Sequence, residues 1–296
     1  MGSLTQGPGS VRRHNFSLIL IAAALGWSEY AIAQNAAPAQ DEAITVTGRK
    51  LPAKAVHRYV RQITSSVDGQ LTRFNQPVCP TVIGFPEQYG GIIAKRIRRV
   101  ASEAGVRLAK EKCRANLVLI IARDADMLVR QWRAKSPGIF EGVDSSALQV
   151  AYRSGPVHVW NTTELLNEDG QRASGGTMTV KSASILTLPT QHAIAGSMIV
   201  IDDDVTIGKS LTQIADYAAM RALAGATPPR EGLEADTILT LFDSSVSAPL
   251  AVTAVDRSYL AGLYSGRANL SSTSAMQRIS RRIRRDAEAR GEVANN

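Results

Sequence analysis

The sequence predicts one α/β or α+β domain, a mixed β-sheet packed by helices, carried behind an export signal. Three observations predict it. Residues 86–104 hold an apolar stripe at helical spacing (Tyr89, Ile92, Ile93, Ile97, Val100, Ala101, Ala104) that Gly105 ends. Soon after it, residues 116–122 (NLVLIIA) form an unbroken apolar run of strand length, which calls for cover on both faces. Beyond residue 156 the pattern changes to short alternating segments, the signature of strands.

The chain opens on the layout of a secretory signal. Arg12, Arg13 and His14 are followed by a compact apolar run (FSLILIAAAL), and Ala31-Ile32-Ala33 supplies the small residues that a signal peptidase reads. Cleavage is expected between Ala33 and Gln34. The apolar run is too short for a membrane anchor, which needs about 20 residues, so no transmembrane span is expected after cleavage. The neutral leader ahead of the arginines places the expected translation start at Val11. Residues 1–33 are thus read as signal peptide and 34–50 as a flexible segment. Residues 51–267 are the globular domain, and 268–296 a basic helix and tail.

Each element follows from local chemistry. Val56, Tyr59, Val60 and Ile63 recur at helical spacing and mark a first helix over 52–65, and residues 77–85 read as a short strand broken by Pro80. Asp124 or Asp126 caps a helix reaching Lys135, and Asp144 caps a short one through Ala151. Three strands are expected at 157–160, 178–188 and 197–201, with a polar loop at 161–176 between the first two. Ser210 and Gln213 form a capping box for an Ala-rich helix that Gly225 stops. Residues 237–242 are short and apolar, Asp256 caps a helix through Tyr264, and residues 271–290 form a basic last helix.

A composition of 44% hydrophobic and 20% charged residues is that of an ordinary globular protein. The net charge of +8 is concentrated locally, with Lys95, Arg96, Arg98 and Arg99 on one helix and Arg278, Arg281, Arg282, Arg284 and Arg285 on the last. Such runs are most often solvated helix faces. In an exported protein they can also contact an anionic envelope surface, lipid head group or cell-wall polymer, with Arg278, Arg281, Arg282 and Arg285 as the candidates. Nucleic acid is disfavoured, because no recognition motif and no aromatic interleaving accompany the charge. Cys79 and Cys113 are the only cysteines. Export into an oxidising compartment makes them an expected disulfide.

No motif carries catalysis. A G-x-S-x-G elbow is absent, and Gly208-Lys209-Ser210 lacks the upstream glycine of a phosphate loop. Asp202-Asp203-Asp204 could face a hard cation, but adjacent residues of an extended chain point to opposite sides, so a solvated turn is the better reading. His192 has no partner identifiable by spacing. No cofactor and no metal are called for.

Residues 116–266 resemble a family of exported bacterial proteins of unknown function, seen mainly in alphaproteobacteria. The segments NLVLIIARDADMLVRQWRAKSPGIF, LTQIADYAAMRALAG, ILTLF and LAVTAVDRSYLAGLY carry the likeness. A related group resembles zinc metallopeptidases. That resemblance implies a zincin-like fold with 197–201 as its edge strand and 210–225 as its metal helix. The sequence departs at the decisive place, offering Asp216, Tyr217 and Arg221 where two imidazoles and a glutamate would be needed. If that fold carries over, the peptidase chemistry does not.

Two readings follow. The first is a non-catalytic envelope protein that binds another envelope protein or an anionic surface, through a groove on the Ala-rich helix or through the basic helices. The second is a hydrolase of unrecognised type acting through His192, Asp216 and Tyr217.

Overall fold

The computed structural model describes residues 52–180, 187–229 and 235–291. The cleavage pair Ala33 and Gln34, with the rest of the expected signal and its following segment, lies outside the described residues.

Five strands make one mixed sheet: β1 (Arg73–Phe74), β2 (Pro80–Ile83), β3 (Leu117–Ala122), β4 (Val157–Asn167) and β5 (Thr190–Asp202). β5 is its axis. β4 runs antiparallel along one side of it, while β1 and β3, both parallel to it, share the other side end to end. β2 lies parallel beyond β3. Residues 197–201 are therefore internal to the sheet, which corrects the edge position implied by the peptidase resemblance.

Helices cover both faces. The alternation in β3 sorts the two cores: Leu117, Leu119 and Ile121 face the larger one, Ile120 and Ala122 the smaller. The larger core is built with α1 (Ala53–Ile63), α2 (Glu87–Glu103), α5 (Leu211–Ala224), α6 (Ala254–Ser265) and α7 (Ser272–Ala289). The smaller holds α3 (Ala125–Lys135), a 3₁₀ turn at Pro137–Phe140 and α4 (Ser145–Ala151), packed on Trp160 and Val200. α7 is no separate tail, since Ile279 and Ile283 are buried in the larger core. Among the described residues no helix is long and apolar enough to cross a membrane.

The expected helix starts are present. Asp124 accepts from Met127 N–H, Asp144 from Ser146 and Ala147 N–H, and Ser210 with Gln213 closes the capping box of α5. Gly225 ends α5 at φ +58°, a left-handed backbone that glycine adopts without strain.

Four expectations need correction. Thr253, not Asp256, caps α6, and Asp256 answers it as the third-position member of a capping box. Residues 161–167 continue β4 instead of forming a loop. Its polar residues 161–164 are half-buried on this edge strand, while Leu166 and Asn167 are buried. Neither 178–180 nor 187–188 belongs to a strand; Thr187 forms an isolated bridge with Leu270, and 181–186 lie outside the described residues. Pro80 begins β2 rather than breaking it.

Cys79 and Cys113 form a disulfide with a Cα–Cα separation of 6.1 Å. It joins the segment entering β2 to the turn before β3, so it closes the loop that contains α2. Asn116 staples the same junction, donating to the Pro77 carbonyl at 3.0 Å and accepting from Cys79 N–H at 2.8 Å.

Two buried carboxylates tie the larger core together. Asp216 of α5 takes a two-pronged contact from Arg96 of α2, Nε to Oδ1 at 2.6 Å and Nη2 to Oδ2 at 2.8 Å. Val252 N–H adds a third bond at 2.7 Å. This fork is the strong form of ion pair, and its carboxylate holds the Arg96 guanidinium above its ordinary pKa. Asp256, fully buried in α6, accepts from four donors: Tyr59 hydroxyl (2.8 Å), Thr237 hydroxyl (2.6 Å), Ile238 N–H (2.9 Å) and Thr253 N–H (3.0 Å). The apolar segment 237–242 thereby folds as a 3₁₀ turn (Ile238–Thr240) docked on α6.

Candidate functional site

Turning Val56, Tyr59, Val60 and Ile63 of α1 into the core leaves Lys54, His57, Arg58 and Arg61 on its exposed side. Their spacing of i, i+3, i+4 and i+7 places all four on one helix face. They line one wall of a cleft of about 1020 Å³. Val150 and Arg153, at and just past the end of α4, line it too, with Thr227 and Pro228 after α5. Among the described residues lining this cleft there is no aspartate or glutamate.

Arg221 of α5 also lines the cleft, and its circumstances are unusual. It is only 7% exposed. Its Nη1 donates to the Tyr217 hydroxyl at 2.5 Å, and the guanidinium sits 5.5 Å from the centre of that ring. Among the described residues its buried Nε has no hydrogen-bond partner, and no carboxylate pairs with it. Arg96 shows the contrast, since its Nε grips Asp216 at 2.6 Å whereas the Nε of Arg221 meets no acceptor among the described residues. An uncompensated buried charge costs several kcal/mol.

A second cavity of about 190 Å³ adjoins the first, sharing Ser65, Val150, Arg221 and Thr227. Trp160, Val159 and Ala147 contribute to its walls, and Asn161 lines it with a buried Oδ1 that also lacks a partner. The carboxylate bordering this cavity, Asp144, is occupied in capping α4. The Ser146 hydroxyl, helped by backbone N–H groups, holds its pKa below the ordinary value. Towards α7, Arg281 and Arg284 line a groove with Lys54 and His57, which extends the positive surface along α1.

The four arginines expected to meet an anionic surface divide by environment. Arg281 and Arg285 are exposed. Arg278 donates to the Ser265 carbonyl at 2.6 Å, and Arg282 is committed to Asp286 at 2.7 Å. Of the earlier basic cluster, Lys95 and Arg99 are exposed, whereas Arg96 grips Asp216 and Arg98 donates to the Ala109 carbonyl.

His192, Asp216 and Tyr217 do not form a reactive group. His192 Nε2 lies 3.3 Å from Asp68 on the other end of the sheet's axis strand, Asp216 is sealed under Arg96, and Tyr217 is buried against Arg221 and Phe242. The Ala-rich helix offers no groove either, because Gln213 to Ala224 are all buried. The carboxylates of Asp202, Asp203 and Asp204 gather within 4.8 Å of one another. Asp202 is already used there, accepting from Ala125 and Asp204 N–H. His158, buried under α4, bonds the Ala151 carbonyl through Nδ1 at 2.8 Å. Its Nε2 is 3.1 Å from Asp126 without hydrogen-bond alignment, a structural contact between α3 and β4.

The site is thus a basic cleft with a buried, unpaired arginine at its inner side. No family model, curated protein or solved structure matches the chain.

The residues missed at the sequence level are Lys54, His57, Arg58 and Arg61. Their helical spacing opposite the apolar positions was the available signal. Arg153 and Arg221 gave none, because what sets them apart is the cleft they line, which only the fold brings together.

Proposed function

We propose that the chain is an exported, non-catalytic binding protein, working in the periplasm or outside the cell, that holds an anionic ligand or surface of the envelope in the basic cleft beside α1. One observation carries this reading: Lys54 and Arg61 of α1, Arg153 just after α4 and Arg221 of α5 converge on a single concave surface whose described lining holds no carboxylate. Converging like charges lower stability unless something of opposite sign occupies the space between them. The disulfide and the signal-like N-terminus support an oxidising destination. Arg281 and Arg284 extend the same positive surface and keep the last helix in the interaction, whereas Arg278 and Arg282 serve the fold.

The test is sedimentation with phosphatidylglycerol vesicles. Binding is expected at an ionic strength of about 0.1 M and release at about 1 M, where the screening length falls from about 10 Å to about 3 Å. The triple variant Lys54→Glu, Arg61→Glu, Arg153→Glu should lose binding. A charge-matched control on α2 and its following loop, Lys95→Glu, Arg99→Glu, Lys110→Glu, should retain it. Equal loss in both variants would show attraction by net charge alone and end the cleft reading.

A further inference from the structure

Within that cleft one position is built for a single anionic group rather than for diffuse attraction. Arg221 is more than nine-tenths buried, borders both cavities, and keeps its Nε without an acceptor. In the smaller cavity it is joined by Asn161, whose buried Oδ1 is an acceptor without a donor. A buried cation lacking its anion and a buried acceptor lacking its donor, among the described residues, are complementary deficits lining one cavity. Both are met by one kind of ligand.

We propose that Arg221 and Asn161 form a discrete subsite that takes an oxyanion, carboxylate or phosphate, with an O–H or N–H donor beside it. The Nε–Nη2 edge of Arg221 receives the oxyanion in the geometry that Arg96 uses on Asp216. Asn161 Oδ1 accepts from the neighbouring donor. Trp160 and Val159 give the small cavity apolar surface for the few atoms that join the two groups. The ligand's remainder extends into the larger cleft, where Arg61 and Arg153 offer further positive charge. The hydroxyl of Tyr217 fixes Nη1 and so sets the guanidinium plane before anything binds.

This subsite rests on the anion-binding reading of the cleft, and its test is separable from the vesicle experiment. Thermal unfolding of the full chain is measured with sodium phosphate and with sodium lactate, each against sodium chloride at equal ionic strength. A saturable rise in Tm is expected with at least one of them. A rise with phosphate alone assigns the oxyanion to a phosphate, and a rise with lactate alone assigns it to a hydroxy acid. Arg221→Met should abolish the rise, and Arg221→Lys, which keeps the charge but not the fork, should weaken the apparent affinity at least about tenfold.

If the methionine variant does not fold, the wild type still decides. The Arg221 Nε–H resonance should shift on titration with the effective anion while that of Arg96, already occupied, stays in place. No saturable rise with either anion, or an equal rise in Arg221→Lys, overturns the subsite. Retained vesicle binding in Arg221→Lys beside a lost Tm response would confirm that surface and subsite are separate. Retained vesicle binding in the cleft-wall variant beside a saturable Tm response of the wild type would refute the surface reading only.

Discussion

Replacing Asp256 by alanine is expected to lower stability by roughly 4 kcal/mol or more, since each buried donor left unmatched costs about 1 to 3 kcal/mol. Four donors would lose their acceptor at once: the Tyr59 and Thr237 hydroxyls and the N–H groups of Ile238 and Thr253. Domains of this kind hold about 5 to 15 kcal/mol in total, so the variant should be marginal at growth temperature. Chemical denaturation read by near-UV circular dichroism measures this directly, and a midpoint close to wild type would mean that the network is not what fastens α1 to α6.

Asp256→Asn should be far milder. Its oxygen can take the two backbone N–H groups, while its amide nitrogen can donate to the two hydroxyls, which are free to turn and accept. Burial pushes the Asp256 carboxyl above its ordinary value, against the pull of its four donors. The sign of the pH effect follows. A carboxyl raised in the folded state favours folding most below the ordinary aspartate range, and this contribution is lost as pH rises through the folded value. Relative to Asp256→Asn, the wild type should therefore gain stability on acidification across that window. A difference that shrinks on acidification would mean that the ionised form is the favoured one.

Reducing the Cys79–Cys113 bond is expected to cost about 3 to 4 kcal/mol, the loop-closure entropy of a cross-link of this span. The two cysteines are 34 residues apart. The cross-link joins the entries of β2 and β3, and in the reduced chain Asn116 alone still bridges that junction with side-chain bonds. The denaturation midpoint should fall on adding reductant to wild type and stay unmoved in the Cys79→Ala, Cys113→Ala double variant. A wild-type midpoint indifferent to reductant would remove the disulfide as a source of stability. Because the bridge forms only where thiols are oxidised, the same measurement states how much of the fold's margin depends on destination.

Elements that satisfy themselves locally were legible in the sequence. The apolar stripe of α2, the caps at Asp124, Asp144 and Ser210, and the glycine after α5 each declare a boundary within a few residues. β1 was not legible, since two residues carry no period and exist as a strand only because β5 offers them an edge. β4 was read short for a related reason: Asn161 to Glu164 carry no apolar alternation and are held by pairing with β5. The disulfide was legible from two cysteines and a signal-like N-terminal sequence. The cleft was half legible, one wall written at helical spacing in α1 and the rest assembled from α4 and α5, some 90 and 160 positions further on. Arg221 resisted for a deeper reason, because a missing counter-charge is a property of three-dimensional surroundings that no spacing encodes.

The arrangement of β5 also fixes a timetable. β1, β3 and β4 all wait for a strand that begins only at Thr190, and α1 is fastened by an aspartate 197 residues after Tyr59. A chain emerging N-terminus first can close its β2–α2–β3 unit early, but it cannot complete the sheet or seal the larger core until its last third has arrived. The strand that unifies the fold is also the one that postpones it.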